Sequence, residues 1–263
     1  MMARVALVAL ALAAALAPVA DARAGAPEPM PSEVVLGFFP AENAQELEAT
    51  AAELARALSD RIHIPVRAYV ALDYTALVEA MRSGQVQFGW LTPAPLVLAE
   101  RLFDAEILLT QVRGGSPTYY GAIVVRKDPP ITDVMQLRGK TIAWVDPQST
   151  SGYVIPRWQL LSRGIDPQRF FRQQVFAGGH DSAVLAVQSG QVDAAAVWAD
   201  PPAEGTGAWT RFGKSHPGEG LKPIAYTPPV PSDAVAVDPT FARAHPLLVN
   251  SVRTALIALG HSD

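Results

Sequence analysis

The stretch AMRSGQVQFGW, residues 80–90, decides the fold because a similar stretch, AVQSGQVDAAA, recurs at residues 186–196. Both contain Ser-Gly-Gln-Val, beginning at Ser83 and at Ser189, an offset of 106 residues (189 − 83). The same offset aligns two other apolar, strand-like segments, residues 35–39 and 141–145. The chain therefore reads as two copies of one unit.

Each unit reads as strand, loop, helix, strand, helix, Ser-Gly turn and strand. This alternation predicts an α/β fold of two similar lobes with mainly parallel sheets. Two extended, proline-containing segments, residues 121–131 and 223–239, are predicted to be the strands that cross between the lobes. The expected division is residues 27–120 plus 234–263 in lobe 1, and residues 121–233 in lobe 2.

The N-terminus, residues 1–26, is typical of a secretory signal peptide. It has an early arginine, an apolar stretch from Val5 to Val19, and small residues afterwards. The chain has 0 cysteines, so a lipid anchor on a processing-site cysteine is excluded. We expect an exported protein without a lipid anchor, and no other segment is long and apolar enough to enter a membrane.

The charge balance narrows the choice of partner. A net charge of −4 argues against nucleic acid and anionic membrane surfaces. It does not argue against a small anionic ligand, because a few backbone N–H groups can bind one without a basic surface.

Three consecutive hydroxyl residues, Ser149, Thr150 and Ser151, lie in the stretch DPQSTSGYVIP, residues 146–156. A buried strand is predicted before them and a helix after them. Free N–H groups and the helix dipole favour an anion at such a turn. One hydroxyl satisfies an ordinary N-cap, so the other two indicate an anion site.

The repeat aligns Tyr74 with His180, since both lie in the first turn of a helix that follows a strand. In α/β sheets, ligands bind outside the carboxyl ends of the strands, where such turns meet. We therefore expect Tyr74, the Ser149–Ser151 turn and His180 to face one cleft between the lobes.

Three stretches, GKTIAWVDP, VDPQSTSGYVIP and GGHDSAVLAVQSGQVDAAAV, resemble the phosphate, phosphite and phosphonate-binding periplasmic proteins of ABC importers. The resemblance runs from Val34 to the last helix. It implies a type II binding-protein fold that closes on its ligand and delivers it to an ABC permease in the inner membrane. It also implies a periplasmic monomer that is not an enzyme and needs no cofactor or metal.

The resemblance also implies site residues. Those expected at the oxyanion are Tyr74, Ser149, Thr150, Ser151, His180 and Asp233. Asp233 would accept a hydrogen bond from a protonated phosphorus oxyanion and repel sulfate, which carries no such proton. Asp200 lies near the position at which aminoethylphosphonate binders contact the amine of the ligand.

Two departures from the family concern the organic substituent of the ligand. Leu91 and Leu96 stand where relatives have an aromatic hydroxyl and a tyrosine, which predicts a more apolar tail pocket. The sequence does not rank phosphate, phosphite, methylphosphonate and aminoethylphosphonate.

Plainer roles remain open for each residue: a packing ring for Tyr74, a helix cap for His180, and turns for Asp200 and Asp233. Three other functions are alternatives to ligand transport. A serine hydrolase could use Ser149 or Ser151 with His180 and Asp233, but the G-x-S-x-G elbow is absent. A metal site at His180 lacks a second histidine at ligand spacing, and a sensory domain of the same fold is indistinguishable by sequence.

Overall fold

A computed structural model describes residues 29–128, 130–212 and 220–260. The predicted signal peptide, residues 1–26, lies outside this part of the chain. Among the described residues, none of the helices has the length and apolar character needed to cross a bilayer.

Two β-sheets organise the chain. The strands are β1 Val34–Phe38, β2 Val66–Val70, β3 Phe88–Leu91, β4 Glu106–Thr110, β5 Thr118–Arg126, β6 Thr141–Trp144, β7 Gln173–Phe176, β8 Ala194–Ala199, β9 Leu221–Tyr226, β10 Val230–Pro231 and β11 Ala234–Val237. The helices are α1 Ala44–Ile62, α2 Tyr74–Arg82, α3 Pro93–Phe103, α4 Ile155–Ser162, α5 Pro167–Phe170, α6 His180–Gln188, α7 Ala208–Arg211, α8 Pro239–Ala244 and α9 Pro246–Gly260.

The first lobe is built on a sheet with the order β2-β1-β3-β11-β4, and the second on β10-β5-β8-β6-β7 with β9 also paired to β5. Strands β1, β2 and β3 are parallel to one another, as are β6, β7 and β8. Strands β5 and β11 pair antiparallel to their neighbours. The sheets are therefore mixed. They are parallel within the repeated units, as predicted, and antiparallel where the segments that join the lobes return in the opposite direction.

The core confirms the internal repeat. Helices α2 and α6 begin at residues 74 and 180 and end at residues 82 and 188, which is the offset read from the sequence. Their buried apolar positions also correspond. They are Leu77, Val78 and Met81 in α2, and Ala183, Val184 and Val187 in α6. Each helix therefore buries the same stripe against its own sheet.

The chain crosses between the lobes at residues 111–117 and again at residues 232–233. The two crossings are hydrogen-bonded to each other. The Gln111 N–H donates to the Asp233 carbonyl at 2.8 Å, and the Ser232 N–H donates to the Pro117 carbonyl at 2.9 Å. The return crossing falls inside the predicted segment. The observed first crossing precedes the predicted segment, whose residues 121–126 belong to strand β5 instead. The predicted lobe boundaries stay a prediction.

A tight turn shapes the first crossing. Gly114 and Gly115 both have positive φ, +55° and +79°, as a two-residue type I′ turn requires. The flanking Arg113 and Ser116 exchange two backbone hydrogen bonds of 2.9 Å each. Glycine at both central positions adopts this conformation without strain, so the turn holds Arg113 in a defined place.

Candidate functional site

The three neighbouring hydroxyls have three different environments. Ser149 is the N-cap of a π-helical turn, Thr150–Val154, that leads into α4. Its hydroxyl oxygen accepts a hydrogen bond of 3.1 Å from the Gly152 N–H. Ser149 therefore satisfies one of the N–H groups that every helix start leaves without an internal partner.

Thr150 connects the two lobes. Its Oγ1 accepts a 2.9 Å hydrogen bond from the Ala94 N–H and donates one of 3.0 Å to the Thr92 Oγ1. Thr92 is the N-cap residue of α3 but makes no side-chain cap of its own. Thr150 thus caps a first-lobe helix from the second lobe, and its hydroxyl proton is already donated.

Ser151 lines a cavity of about 300 Å³ between the lobes. The other polar lining residues are Glu42, Thr50, Thr92, Gln111, Arg113, Tyr119, His180, Arg211 and Asp233. Aromatic lining residues without a hydroxyl are Phe38, Phe39, Trp90 and Trp198. The Tyr119 hydroxyl interacts with the hydroxyls of Ser151 and Thr150, although burial is the main influence on its pKa and raises it. A ring of hydroxyl groups therefore forms one end of the cavity.

Gly121, on strand β5, allows this strand to lie directly against the hydroxyl turn. A Cβ atom at this position would lie 2.7 Å from the Ser151 carbonyl oxygen and 2.9 Å from Thr227. No side chain fits in that space, so a glycine is required for the position that Ser151 takes beside the cavity.

His180 is the first residue of α6 and is 4% exposed. The Trp198 N–H donates to its Nδ1 at 3.2 Å, so the neutral ring carries its proton on Nε2. Burial, with a smaller effect of the Arg113 charge, lowers the pKa of His180 to about 3. Gly179 is the N-cap residue, so His180 is not a helix cap but a neutral hydrogen-bond donor beside the cavity.

Asp233 lies in the return crossing between β10 and β11, and its side chain lines the cavity. Burial raises its pKa to about 6, and the Arg113 guanidinium partly opposes this shift. Among the described residues, none donates a hydrogen bond to the carboxylate. The group is therefore a buried acceptor that can carry its own proton near neutral pH.

Tyr74 is fully buried and reaches from α2 into the core of the second lobe, where Val145, Ala183 and Val184 belong to the same cluster. Its ring centroid lies 4.9 Å from that of Phe39. Its hydroxyl lies near the Ser149 hydroxyl but has no partner with hydrogen-bond geometry in the described chain. Burial raises its pKa well above the usual value. Tyr74 is not a cavity-lining residue, and this geometry favours the packing role.

Asp200 also lies outside the cavity lining. Its carboxylate accepts a 2.8 Å hydrogen bond from the Thr206 hydroxyl, and its N–H donates to the Thr206 carbonyl at 3.1 Å. These bonds close the loop that follows β8. The geometry favours the turn role over recognition of a ligand amine.

The prediction that Leu91 and Leu96 line a tail pocket was wrong. Leu91 and Leu96 are buried in the first-lobe core, with Val35 and Leu77, and do not line the cavity. Trp90 lines it instead and stacks on Phe38 with the ring centroids 6.3 Å apart. Alternate residues of β3 point to opposite faces of the sheet, which places Trp90 and Leu91 on different sides.

Two cavity residues, Arg113 and Tyr119, were not predicted from the sequence. The Arg113 guanidinium lies 4.9 Å from the ring centroid of Trp198 and 5.8 Å from that of Tyr119. The available signal was the Gly-Gly pair after Arg113, which predicts a hairpin turn between two strands. For Tyr119 the sequence offers no comparable signal.

Polar contacts between described residues join the lobes around the cavity. Besides the Thr150 bridge, the backbone N–H of His180 donates to the Ala41 carbonyl at 2.9 Å. Arg211 and Glu42 form a salt bridge of 3.1 Å across the lobes. These contacts hold the two lobes together beside the cavity.

The geometry does not favour a serine hydrolase or a metal site. Within the described ranges, His180 makes no hydrogen bond to Ser149, Ser151 or Asp233, so a hydrolytic triad is not assembled. The same residues contain no cluster of three histidine, cysteine or acidic side chains able to hold a metal ion.

Two α/β lobes joined by paired crossings, with a cavity between them, define the class of type II periplasmic binding proteins. Within this class, residues 36–263 match the family described as the periplasmic phosphonate substrate-binding protein of an ABC transporter. The chain belongs to this family.

Two individual relatives match part of this chain at moderate sequence identity. The phosphate-import protein PhnD of Mycolicibacterium smegmatis is 30% identical over 200 residues, which is 69% of this chain and 62% of that protein. The phosphonates-binding periplasmic protein of Escherichia coli is 28% identical over 164 residues, 60% of this chain and 48% of that protein. The matched regions thus cover about half to three fifths of these two relatives.

A solved structure shares the fold. PhnD1 of Prochlorococcus marinus in complex with methylphosphonate matches with a TM-score of 0.74 and 19% identity. The match covers 87% of this chain and 85% of that one.

The Thr150 bridge is expected to hold the lobes together. Thr150→Val removes both hydrogen bonds and leaves the Ala94 N–H without its cap, which costs about 1–3 kcal/mol. We expect longer distances between spin labels on Arg56→Cys and Arg169→Cys, which are clean labelling sites because the chain has no cysteine. Thr150→Ser retains the hydroxyl and serves as the control. Equal distance distributions in the valine variant and the wild type would contradict the bridge.

The side chains of Asp233 and His180 are expected to change the free energy of unfolding in opposite directions as the pH is lowered. The raised pKa of Asp233 gives stability below about pH 4 that is lost as the pH rises through about 6. The lowered pKa of His180 gives stability above about pH 6.5 that is lost as the pH falls towards 3.

From pH 7 to pH 5, relative to the wild type, Asp233→Asn should therefore lose about 1 kcal/mol more unfolding free energy. His180→Gln should lose about 2 kcal/mol less. Urea unfolding at both pH values measures the two differences, and shifts of the same sign in both variants would contradict the assignment.

Proposed function

We propose that this protein is a periplasmic substrate-binding protein of an ABC importer and captures a small phosphorus oxyanion in the interlobe cavity. The observation that carries the proposal is the arrangement of hydrogen-bonding groups there. Donors from Ser151, Tyr119 and His180 line the same space as one buried acceptor, Asp233. Family membership supports this reading.

The donors suit a tetrahedral anion. Hydroxyl and imidazole N–H groups make short, charge-assisted hydrogen bonds to anionic oxygens, roughly twice as strong as neutral ones. The start of the helical turn at Thr150 and Ser151 adds the positive end of a helix dipole. Ser149 and Thr150 would contribute mainly through this backbone, because their hydroxyls are engaged with Gly152, Ala94 and Thr92.

The buried acceptor, Asp233, would select phosphorus oxyanions over sulfate. A carboxylate next to an anion is repulsive unless a proton lies between them. Phosphoryl groups have a second pKa of about 6, so one proton can be shared between such a ligand and Asp233 near neutral pH. Sulfate has no proton to share, and Asp233 would therefore exclude it.

Binding without catalysis fits the same site, since His180 contacts the Trp198 backbone and not a serine nucleophile. The cavity, at about 300 Å³, is larger than a tetrahedral anion needs and leaves room for a small substituent. The proposal includes delivery to a permease in the inner membrane and a periplasmic location, with the predicted signal peptide as the route of export.

Calorimetric titration with phosphate, phosphite, methylphosphonate, aminoethylphosphonate and sulfate tests the function. We expect binding to at least one phosphorus oxyanion and no heat from sulfate. Ser151→Ala should weaken the binding about tenfold, because a hydrogen bond to a charged group is lost. Ser162→Ala, an exposed serine on α4, is the matched control. Heat from sulfate alone would indicate another class of solute.

Asp233→Asn tests the selectivity separately. The amide removes the repulsive charge and can donate to the anion, so sulfate binding should become measurable while binding of the phosphorus oxyanion weakens or stays unchanged. Asp60→Asn, on the surface of α1, controls for the change in net charge. Tighter phosphonate binding without any sulfate binding would refute the role of Asp233.

A further inference from the structure

Arg113 stands out among the cavity residues because no residue of the described chain forms a salt bridge with it. Within residues 29–128, 130–212 and 220–260, its guanidinium makes neither a salt bridge nor a hydrogen bond. The other cavity arginine, Arg211, is paired with Glu42 at 3.1 Å. Arg113 instead lies over the rings of Trp198 and Tyr119, which hold the cation without neutralising it.

The backbone keeps this cation at the cavity. Arg113 flanks the Gly114-Gly115 turn in the first crossing, two residues after Gln111, whose N–H donates to the Asp233 carbonyl. The two crossings therefore bring Arg113 and Asp233 to the same end of the cavity. Because both lie where the lobes are joined, both would stay next to a ligand held by the second lobe.

The charge of Arg113 acts on that end of the cavity. It lowers the pKa values of both Asp233 and His180, which are the acceptor and a donor of the proposed oxyanion site. The ionisable groups around Arg113 are Asp233, His180, Tyr119, Glu42 and Arg211. His180 and Tyr119 are neutral near pH 7, and Glu42 and Arg211 are paired with each other.

The remaining donors are therefore uncharged, and Asp233 can only add negative charge. Neutral donors suffice for a singly charged anion, whereas a nearby cation favours a second negative charge beside a carboxylate. We propose that Arg113 is a further ligand-binding residue, whose guanidinium pairs with the second negative charge of a doubly ionised phosphorus oxyanion. This inference rests on the proposed function and names the charge state that the site takes.

The test compares ligands of different charge. Methylphosphonate and inorganic phosphate are mainly dianions at pH 8 and mainly monoanions at pH 5. An Asp233→Asn background removes the other group that titrates in this range, so the charge of the ligand becomes the main variable. Calorimetry then gives the dissociation constants with and without Arg113→Met.

At pH 8 we expect Arg113→Met to weaken binding at least about tenfold, since a charge-assisted contact is lost. Arg113→Lys, which keeps the charge, should recover part of the loss. At pH 5 the loss should be at least about threefold smaller, because a monoanion has less charge to pair. Arg138→Met is the matched control, since Arg138 also lies over a ring, 5.0 Å from the Phe170 centroid, but outside the cavity.

Equal losses at both pH values, or wild-type affinity in Arg113→Met at pH 8, would overturn the inference and leave the proposed function intact. A wild-type protein that binds no phosphorus oxyanion would overturn both. Thermal unfolding of Arg113→Met and Arg138→Met compares the stability lost with each ring contact, so that a folding defect is recognised separately from a loss of charge pairing.

Discussion

The hydrogen bonds between Thr150 and the start of α3 are the interaction on which the cavity depends. A helix start needs acceptors for its first N–H groups, and α3 obtains one from the other lobe. This arrangement brings the hydroxyl turn of the second lobe against the first lobe. Ser151 is then next in the chain and lines the cavity, so the position of this residue follows from a capping requirement.

Electrostatic complementarity in this cavity comes from few charges. Burial keeps His180 neutral, so this residue contributes a hydrogen bond without a charge. Burial also raises the pKa of Asp233 to about 6, which leaves the carboxyl mostly ionised at pH 7. Arg113 supplies a cation that forms no salt bridge with any described residue, although its charge acts on Asp233. A cavity of this kind is compatible with a net charge of −4 on the whole chain, because it needs well-directed donors and not a basic surface.

The predictions that succeeded depended on local patterns repeated along the chain. The common offset of the two Ser-Gly-Gln-Val stretches predicted helices at Tyr74 and His180, because buried positions recur wherever a helix packs on a parallel sheet. The predictions that failed depended on where segments meet. Leu91 and Leu96 were expected at a ligand but lie in the core, and residues 121–126 belong to a strand instead of crossing between lobes.

The sequence by itself determined the α/β class, the repeated unit, the family and the presence of a hydroxyl turn before a helix. The tertiary structure alone decided how Ser149, Thr150 and Ser151 are used, since one caps its own turn, one caps a helix of the other lobe and one faces the cavity. It also brought Arg113 to Asp233. Hydrophobic periodicity and capping preferences act over a few residues and can be read along the chain, whereas contacts between lobes depend on how two separate sheets are oriented.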